Sequence, residues 1–267
     1  MPESHFIRGD TASLFLQAYG PEVADSAVAR AVIVCPAFAE EMNRSRRTLH
    51  KLVVELGPLG TVLIIPDLGG TGDSGGEFDD VSVRSWCRDL QSTLQWVREQ
   101  YPEAKVSLLG IRLGALLACS VAATGTLDCI VFWQPVINSR RFIKEFLRMW
   151  DIAQIAVTDK RSSAADRIVA EGMLEIGGYP LTARLTAEIE ALDLAELWPP
   201  ATPVHWFETG TALTAGSEKL LARLRAAGAV IDADCADAPP FWRIQEITVA
   251  HELVTKTAAI FRARHDT

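Results

Sequence analysis

At 267 residues, with a formal net charge of −8 and a pI near 5.2, the chain is too acidic to favour nucleic acid or an anionic membrane surface. Hydrophobic residues make up 49% of it, enough for a core, and its length suits one large α/β domain or one domain with an insertion. No apolar run approaches the roughly 18 residues of a transmembrane helix, so no transmembrane segment is expected.

Residues 5–8 and 13–18 read as two short strands joined by a Gly-Asp turn. Residues 31–35 (AVIVC) are continuously apolar, as a parallel strand buried on both faces requires. Pro36-Ala37-Phe38-Ala39 follows, then Glu40, Glu41 and the basic run Arg44, Arg46 and Arg47. Helical spacing covers 48–56 and stops at Gly57-Pro58. Residues 62–65 (VLII) form the next buried strand, closed by Pro66-Asp67, and a glycine-rich loop over 69–76 leads to a helix over 82–99.

Residues 105–109 (KVSLL) then run into Gly110-Ile111-Arg112-Leu113-Gly114 and a small-residue helix over 115–123. A strand that reverses into a helix within so few residues, with Gly at both ends, has the layout of a nucleophile elbow. The glycines keep the turn tight and let the helix lie close on the neighbouring strand. The middle of a working elbow is Ser, Cys or Asp; here it is Arg112. Residues 129–133 (CIVFW) make another buried strand.

From 135 to 203 strand patterns vanish. Residues 140–155 are helical, Gly177-Gly178-Tyr179-Pro180 is a turn, and further helical material runs to Leu197. Such an all-helical insertion reads as a cap or lid over 135–203, set in a core of 1–134 and 204–267. The β/α alternation resumes with a strand over 204–207, a helix over 217–227, a strand over 230–233 and a final helix ending near Arg262. Alternation of this kind implies right-handed crossovers and a mostly parallel sheet with helices on both faces. Ligands of such sheets bind beyond the carboxyl ends of the strands. Arg112, Phe38, Glu208 and the 239–242 loop each follow a strand and should face one crevice.

Four stretches carry a family resemblance: PAFAEEMNRSRR (36–47), PDLGGTGDSGGEF (66–78), LLGIRLGALLA (108–118) and FWRIQEI (241–247). With the antiparallel start, the elbow and the late insertion, the chain resembles the α/β-hydrolase superfamily, and within it the exosortase A system-associated hydrolase 2 family. The resemblance implies an eight-stranded, mostly parallel sheet with a helical cap, and a hydrolase label from a bacterial exopolysaccharide and protein-sorting locus. It also places the backbone N–H groups of Phe38 and Leu113 at an oxyanion hole, and Glu208 at the acid position of a triad. The triad histidine belongs in the loop after the last strand, which reads CADAPPFWR and has none.

Guanidinium stays protonated, so Arg112 is no nucleophile. It is a cation that can bind anions, at the start of a helix whose N–H groups add positive potential. It either faces a carboxylate or phosphate ligand or pairs internally with Glu40, Glu41 or Glu208. Glu208 is a water-activating carboxylate or a solvated strand end. Glu40, Glu41, Arg44 and Arg47 flank the presumed oxyanion loop, either as ligand contacts or as a solvated charged face. Trp242 is a candidate wall of an apolar pocket beside these charges.

Two functional readings follow: a hydrolase or acyl transferase on an anionic ester or amide, or a non-catalytic protein that keeps the crevice for an anion or partner. His5, His50, His205, His251 and His265 sit in strands, helices or the tail, away from the base position. Gly70 to Gly75 fits G-x-G-x-x-G, but no helix opens there and Glu77, Asp79 and Asp80 would repel phosphate. No metal-ligand spacing is present, and no cofactor is expected. The partner expected is a small anionic or acyl molecule, and a homodimer stays open. Five cysteines without a C-x-x-C pair and an N-terminus without an apolar signal core point to reduced thiols in the cytoplasm.

Overall fold

The computed structural model describes residues 2–21, 28–123, 125–155, 163–199, 201–244, 246 and 248–265. Gln245 and Ile247 of the 241–247 motif lie outside them. The sheet begins with an antiparallel pair, β1 (Glu3–Arg8) and β2 (Ser13–Tyr19). β2 also runs antiparallel to β4 (Thr61–Pro66). Every later pairing is parallel, through β3 (Arg30–Cys35), β5 (Lys105–Ile111), β6 (Ile130–Trp133), β9 (Val204–Thr209) and β10 (Ile231–Ala236). The order across the eight strands is β1-β2-β4-β3-β5-β6-β9-β10.

The period-two alternation of the central strands divides the core. Val32, Val34, Leu63 and Leu109 meet α1 (Glu40–Leu56) and α8 (His251–His265) through Leu49, Leu52, Val254 and Phe261. Ile33, Ile64, Leu108 and Phe132 on the other side meet α2 (Val83–Gln100), α3 (Gly114–Ala122) and α7 (Ala215–Ala226). Ser82 opens α2 with a capping box, its hydroxyl accepting from the Ser85 N–H and the Ser85 hydroxyl accepting from the Ser82 N–H. Among the described residues no helix is long and apolar enough to cross a membrane.

Three sequence expectations change. α1 starts at Glu40, not near Thr48, so Glu40, Glu41, Arg44, Arg46 and Arg47 belong to its first turns. The two glutamates there complement the helix dipole. β9 runs through Thr209, which places Glu208 inside the strand. The insertion between β6 and β9 is not wholly helical. Besides α4 (Ser139–Ile155), α5 (Ala164–Glu171) and α6 (Ala183–Glu190), it holds a hairpin of β7 (Met173–Ile176) and β8 (Tyr179–Thr182). Gly177 and Gly178, at φ 59° and 86°, supply the two left-handed residues that a tight two-residue hairpin turn needs.

The insertion is tied to the sheet's carboxyl side. Arg184 Nη2 donates to the carbonyls of Asp80 and Val81 at 2.8 and 2.9 Å, and the Val83 N–H donates to Glu188 at 2.7 Å. Phe142 and Phe146 of α4 pack edge-on against Phe38, and Tyr179 packs on Phe78.

Candidate functional site

The elbow is set by close backbone approach. A Cβ on Gly114 would lie 2.0 Å from the Cys35 carbonyl oxygen, and one on Gly110 would lie 2.6 Å from Ala115 Cα. With both absent, α3 presses onto β3 and the chain reverses through Arg112 at φ 56°. The Arg112 N–H donates to the Trp133 carbonyl at 3.0 Å, and its carbonyl accepts from Val136 at 3.2 Å. Ala39 (φ 52°) and Gln134 (φ 47°) are the other non-glycine residues at positive φ among those described. All three lie just past the carboxyl ends of β3, β5 and β6. Left-handed strain of this kind costs about 1–3 kcal/mol per residue and concentrates at functional sites.

The Arg112 side chain is 12% exposed and faces Glu41, itself 18% exposed. Nε lies 3.3 and 3.4 Å from the two Glu41 oxygens, Nη2 lies 3.3 Å from Oε1, and Nη1 reaches the Gln134 carbonyl at 3.3 Å. Of the three internal partners the sequence left open, the ion pair forms with Glu41. These contacts are long for charge-assisted bonds, which settle near 2.7–2.9 Å. The guanidinium carbon lies 5.0 Å from the Trp242 ring centroid and 5.7 Å from that of Phe142, so aromatic faces flank the cation. Burial pushes the Glu41 carboxyl above the usual carboxylate range, against the pull of Arg112, Arg243 and Arg44.

Glu40 is exposed, holding Asn43 at 3.0 Å with Arg44 at 3.7 Å. Arg44 donates to the Arg243 carbonyl at 2.7 Å, Arg46 pairs with Asp67 at 3.1 Å, and Arg47 is exposed. Trp242 is 5% exposed, and its indole N–H has no partner among the described residues. The N–H groups of Phe38 and Leu113 also donate to nothing among the described residues. A cavity of about 20 Å³ beside them is lined by Phe38, Met42, Phe78, Trp86, Leu113 and Leu117. That is room for about one water.

Glu208 is 2% exposed and engaged elsewhere. Its oxygens accept from Trp206 Nε1 at 3.1 Å and from the Thr214 N–H at 3.0 Å, pinning the loop before α7. Glu208→Gln would keep the shape and turn an amide N–H₂ toward one of these donors. We expect it to destabilise the fold by about 1–3 kcal/mol, read as a lower urea midpoint; an unchanged midpoint would show that the two bonds hold nothing. Phe38 fills the crevice with its ring, against Phe78, Trp86, Phe142 and Phe146.

Sequence reasoning missed Gln134, Phe142 and Arg243. Gln134 bonds to Arg112 through its carbonyl, and its side-chain oxygen accepts from the Thr209 N–H at 2.7 Å. The signal was available, since Gln134 follows a buried strand as directly as Arg112 does. Phe142 and Arg243 reach the site by tertiary packing alone. His205, in β9, has both ring nitrogens buried without a hydrogen bond, with Asp232 at 3.5 Å. Burial lowers its pKa, with Arg264 adding to the effect. No group of three or more His, Cys, Asp or Glu among the described residues is placed to hold a metal ion.

Residues 26–230 match the family described as serine aminopeptidase, S33. No curated protein sequence matches significantly. Among solved structures, the fold resembles Est1E from Butyrivibrio proteoclasticus with ferulic acid bound, at a TM-score of 0.71 and 13% identity over 98% of both chains. It also resembles a thermostable carboxyl esterase from Bacillus coagulans in complex with glycerol, at 0.67 and 15% over 99% of both chains. An esterase of Pyrococcus furiosus aligns at 0.67 and 14% over 100% of this chain and 91% of the other. At these identities the likeness speaks for the fold. Because the family match spans most of the sequence, the chain belongs to the S33 serine aminopeptidase family of α/β-hydrolases.

Proposed function

We propose that this protein uses the hydrolase crevice to bind a small anionic ligand at Arg112, without acyl-serine turnover. The observation that carries the reading is the Arg112 side chain. It stands at the elbow position, enclosed by Phe142 and Trp242, with long contacts to Glu41. A cation held between aromatic faces in a water-poor crevice binds anions more strongly than an exposed one, because little solvent competes. No hydroxyl or thiol occupies residue 112, and the 237–242 loop supplies no histidine. Without that couple, serine hydrolase chemistry has neither nucleophile nor base. The motifs at 36–47 and 66–78 add an exosortase-type exopolysaccharide locus to the proposal as its setting.

A second reading is favoured by the unbonded N–H groups of Phe38 and Leu113. They are the donors an oxyanion needs. Here Arg112 would hold the anionic end of an ester or amide while Glu208, released from Trp206 or Thr214, activated water. The test is a chromogenic acyl-ester panel run with a thermal-shift screen of carboxylates and phosphates, on wild type and Arg112→Ala. Binding proteins should show anion-dependent stabilisation, lost in Arg112→Ala, and no turnover above buffer. Ester hydrolysis that disappears in Arg112→Ala would replace the first reading with the second.

A further inference from the structure

We propose that Glu41 is an exchangeable internal ligand, and that the crevice takes a carboxylate on a flat apolar body bearing a second acceptor for the Trp242 indole N–H. This rests on anion binding at Arg112 and names the class of anion.

Four observations converge. First, the Arg112–Glu41 contacts all measure 3.3–3.4 Å. The carboxylate neutralises the cation without the short parallel bonds that a bidentate fork makes. Second, three buried indoles find acceptors, Trp86 at the Gly69 carbonyl, Trp133 at Thr257 and Trp206 at Glu208, while Trp198, packed on Phe132, has none among the described residues. Trp242 Nε1, on the ring beside the guanidinium, finds none among the described residues. An unpaired buried donor is costly, and an acceptor on a ligand removes the cost.

Third, the surroundings are flat and apolar, with Phe142 and Trp242 on Arg112 and Phe38 and Phe146 meeting edge-on nearby. Fourth, the guanidinium is closed off as it stands: the Arg112 side chain is 12% exposed, with Glu41 on its charged edge and buried Phe142 and Trp242 over it. Entry therefore requires Glu41 to leave Arg112 and Phe142 of α4 to move aside. Arg44 and Arg243 lie close enough to pull on the Glu41 carboxylate already. A displaced Glu41 stays compensated by them, so the exchange leaves no bare charge.

The experiment is calorimetric titration of the full chain with 3-phenylpropionate and with its 2-oxo analogue, phenylpyruvate. Glu41→Gln, which removes the competitor, should bind both acids about tenfold more tightly than wild type, as expected when a closed population is eliminated. Glu41→Asp, one methylene shorter with its charge kept, should fall between, and it serves if Glu41→Gln does not fold. Trp242→Phe should erase the preference for phenylpyruvate and leave 3-phenylpropionate affected little. Equal affinity in wild type and both Glu41 variants would overturn the exchange while leaving anion binding intact. If neither acid bound any variant, yet phosphate stabilised the wild type through Arg112, the carboxylate class would be wrong. Failure of every anion would remove anion binding itself.

Discussion

Arg112→Ala is expected to lower the melting temperature by roughly 5 °C at pH 7, and by clearly less at pH 5. Removing one partner of a buried ion pair costs about 3–5 kcal/mol because the other charge is left behind. Here the bonds are long and both side chains keep some solvent contact, so about 2 kcal/mol is the reasonable share. The pH dependence follows from Glu41. Burial already raises its folded pKa above the unfolded value, and Arg112 is the largest influence holding it down. A raised carboxyl contributes its full stability below the unfolded pKa and loses it as pH rises through the folded pKa. Arg112→Ala raises the folded value further, so the deficit is largest at neutral pH and closes on acidification. Adding Glu41→Gln should restore most of the loss at pH 7. Arg112→Gly should exceed Arg112→Ala by about 1 kcal/mol, since residue 112 is left-handed and only Gly tolerates that without penalty. A deficit independent of pH between 5 and 8 would show that Glu41 is not charged against Arg112.

The same pair marks where sequence reading stops. Runs such as AVIVC and CIVFW announce strands because burial on both faces leaves no polar position. The elbow was legible for a similar reason, since two glycines flanking a strand-to-helix reversal have few other uses. The first turns of α1 were not legible. Its buried face begins with Ser45 and Thr48 before Leu49, Leu52 and Leu56, so the apolar period starts too late and the charges read as loop. Once the helix is known to begin at Glu40, its phase puts Glu41, Ser45, Thr48 and Leu52 on one face. That phase selects Glu41 over Glu40 as the partner of Arg112. Glu208 was read as a strand end because the ladder of Thr209 with Ala236 depends on a partner strand with little apolar signal. The β7–β8 hairpin was hidden by strands of four residues each, too short to show alternation, although Gly177-Gly178 signalled the turn.

Gly114→Ala is expected to cost about 3 kcal/mol or more, against a helix propensity that favours Ala by about 1 kcal/mol. The two effects have opposite signs, and the distances decide between them. The new methyl would sit 2.0 Å from the Cys35 carbonyl oxygen, 2.6 Å from the Cys35 carbonyl carbon and 2.5 Å from the Pro36 carbonyl oxygen. All three are backbone atoms, and Cys35 cannot retreat, because β3 is paired on both sides, with β4 and with β5. α3 would have to lift away, and it is packed through Ala115, Leu116, Ala118 and Cys119, each fully buried. Gly57→Ala is the control. A Cβ there meets nothing within 4 Å and φ is an ordinary −52°, so that variant should match or slightly exceed the wild type. The measurement is the pair of denaturant midpoints. A Gly114→Ala midpoint equal to that of Gly57→Ala would mean that α3 does not press on β3. Because that contact places both Leu113 N–H and the Arg112 backbone at the crevice, the anion site would then lose its geometric basis. The expected loss, by contrast, should extend to ligand stabilisation, which vanishes in Gly114→Ala and survives in Gly57→Ala.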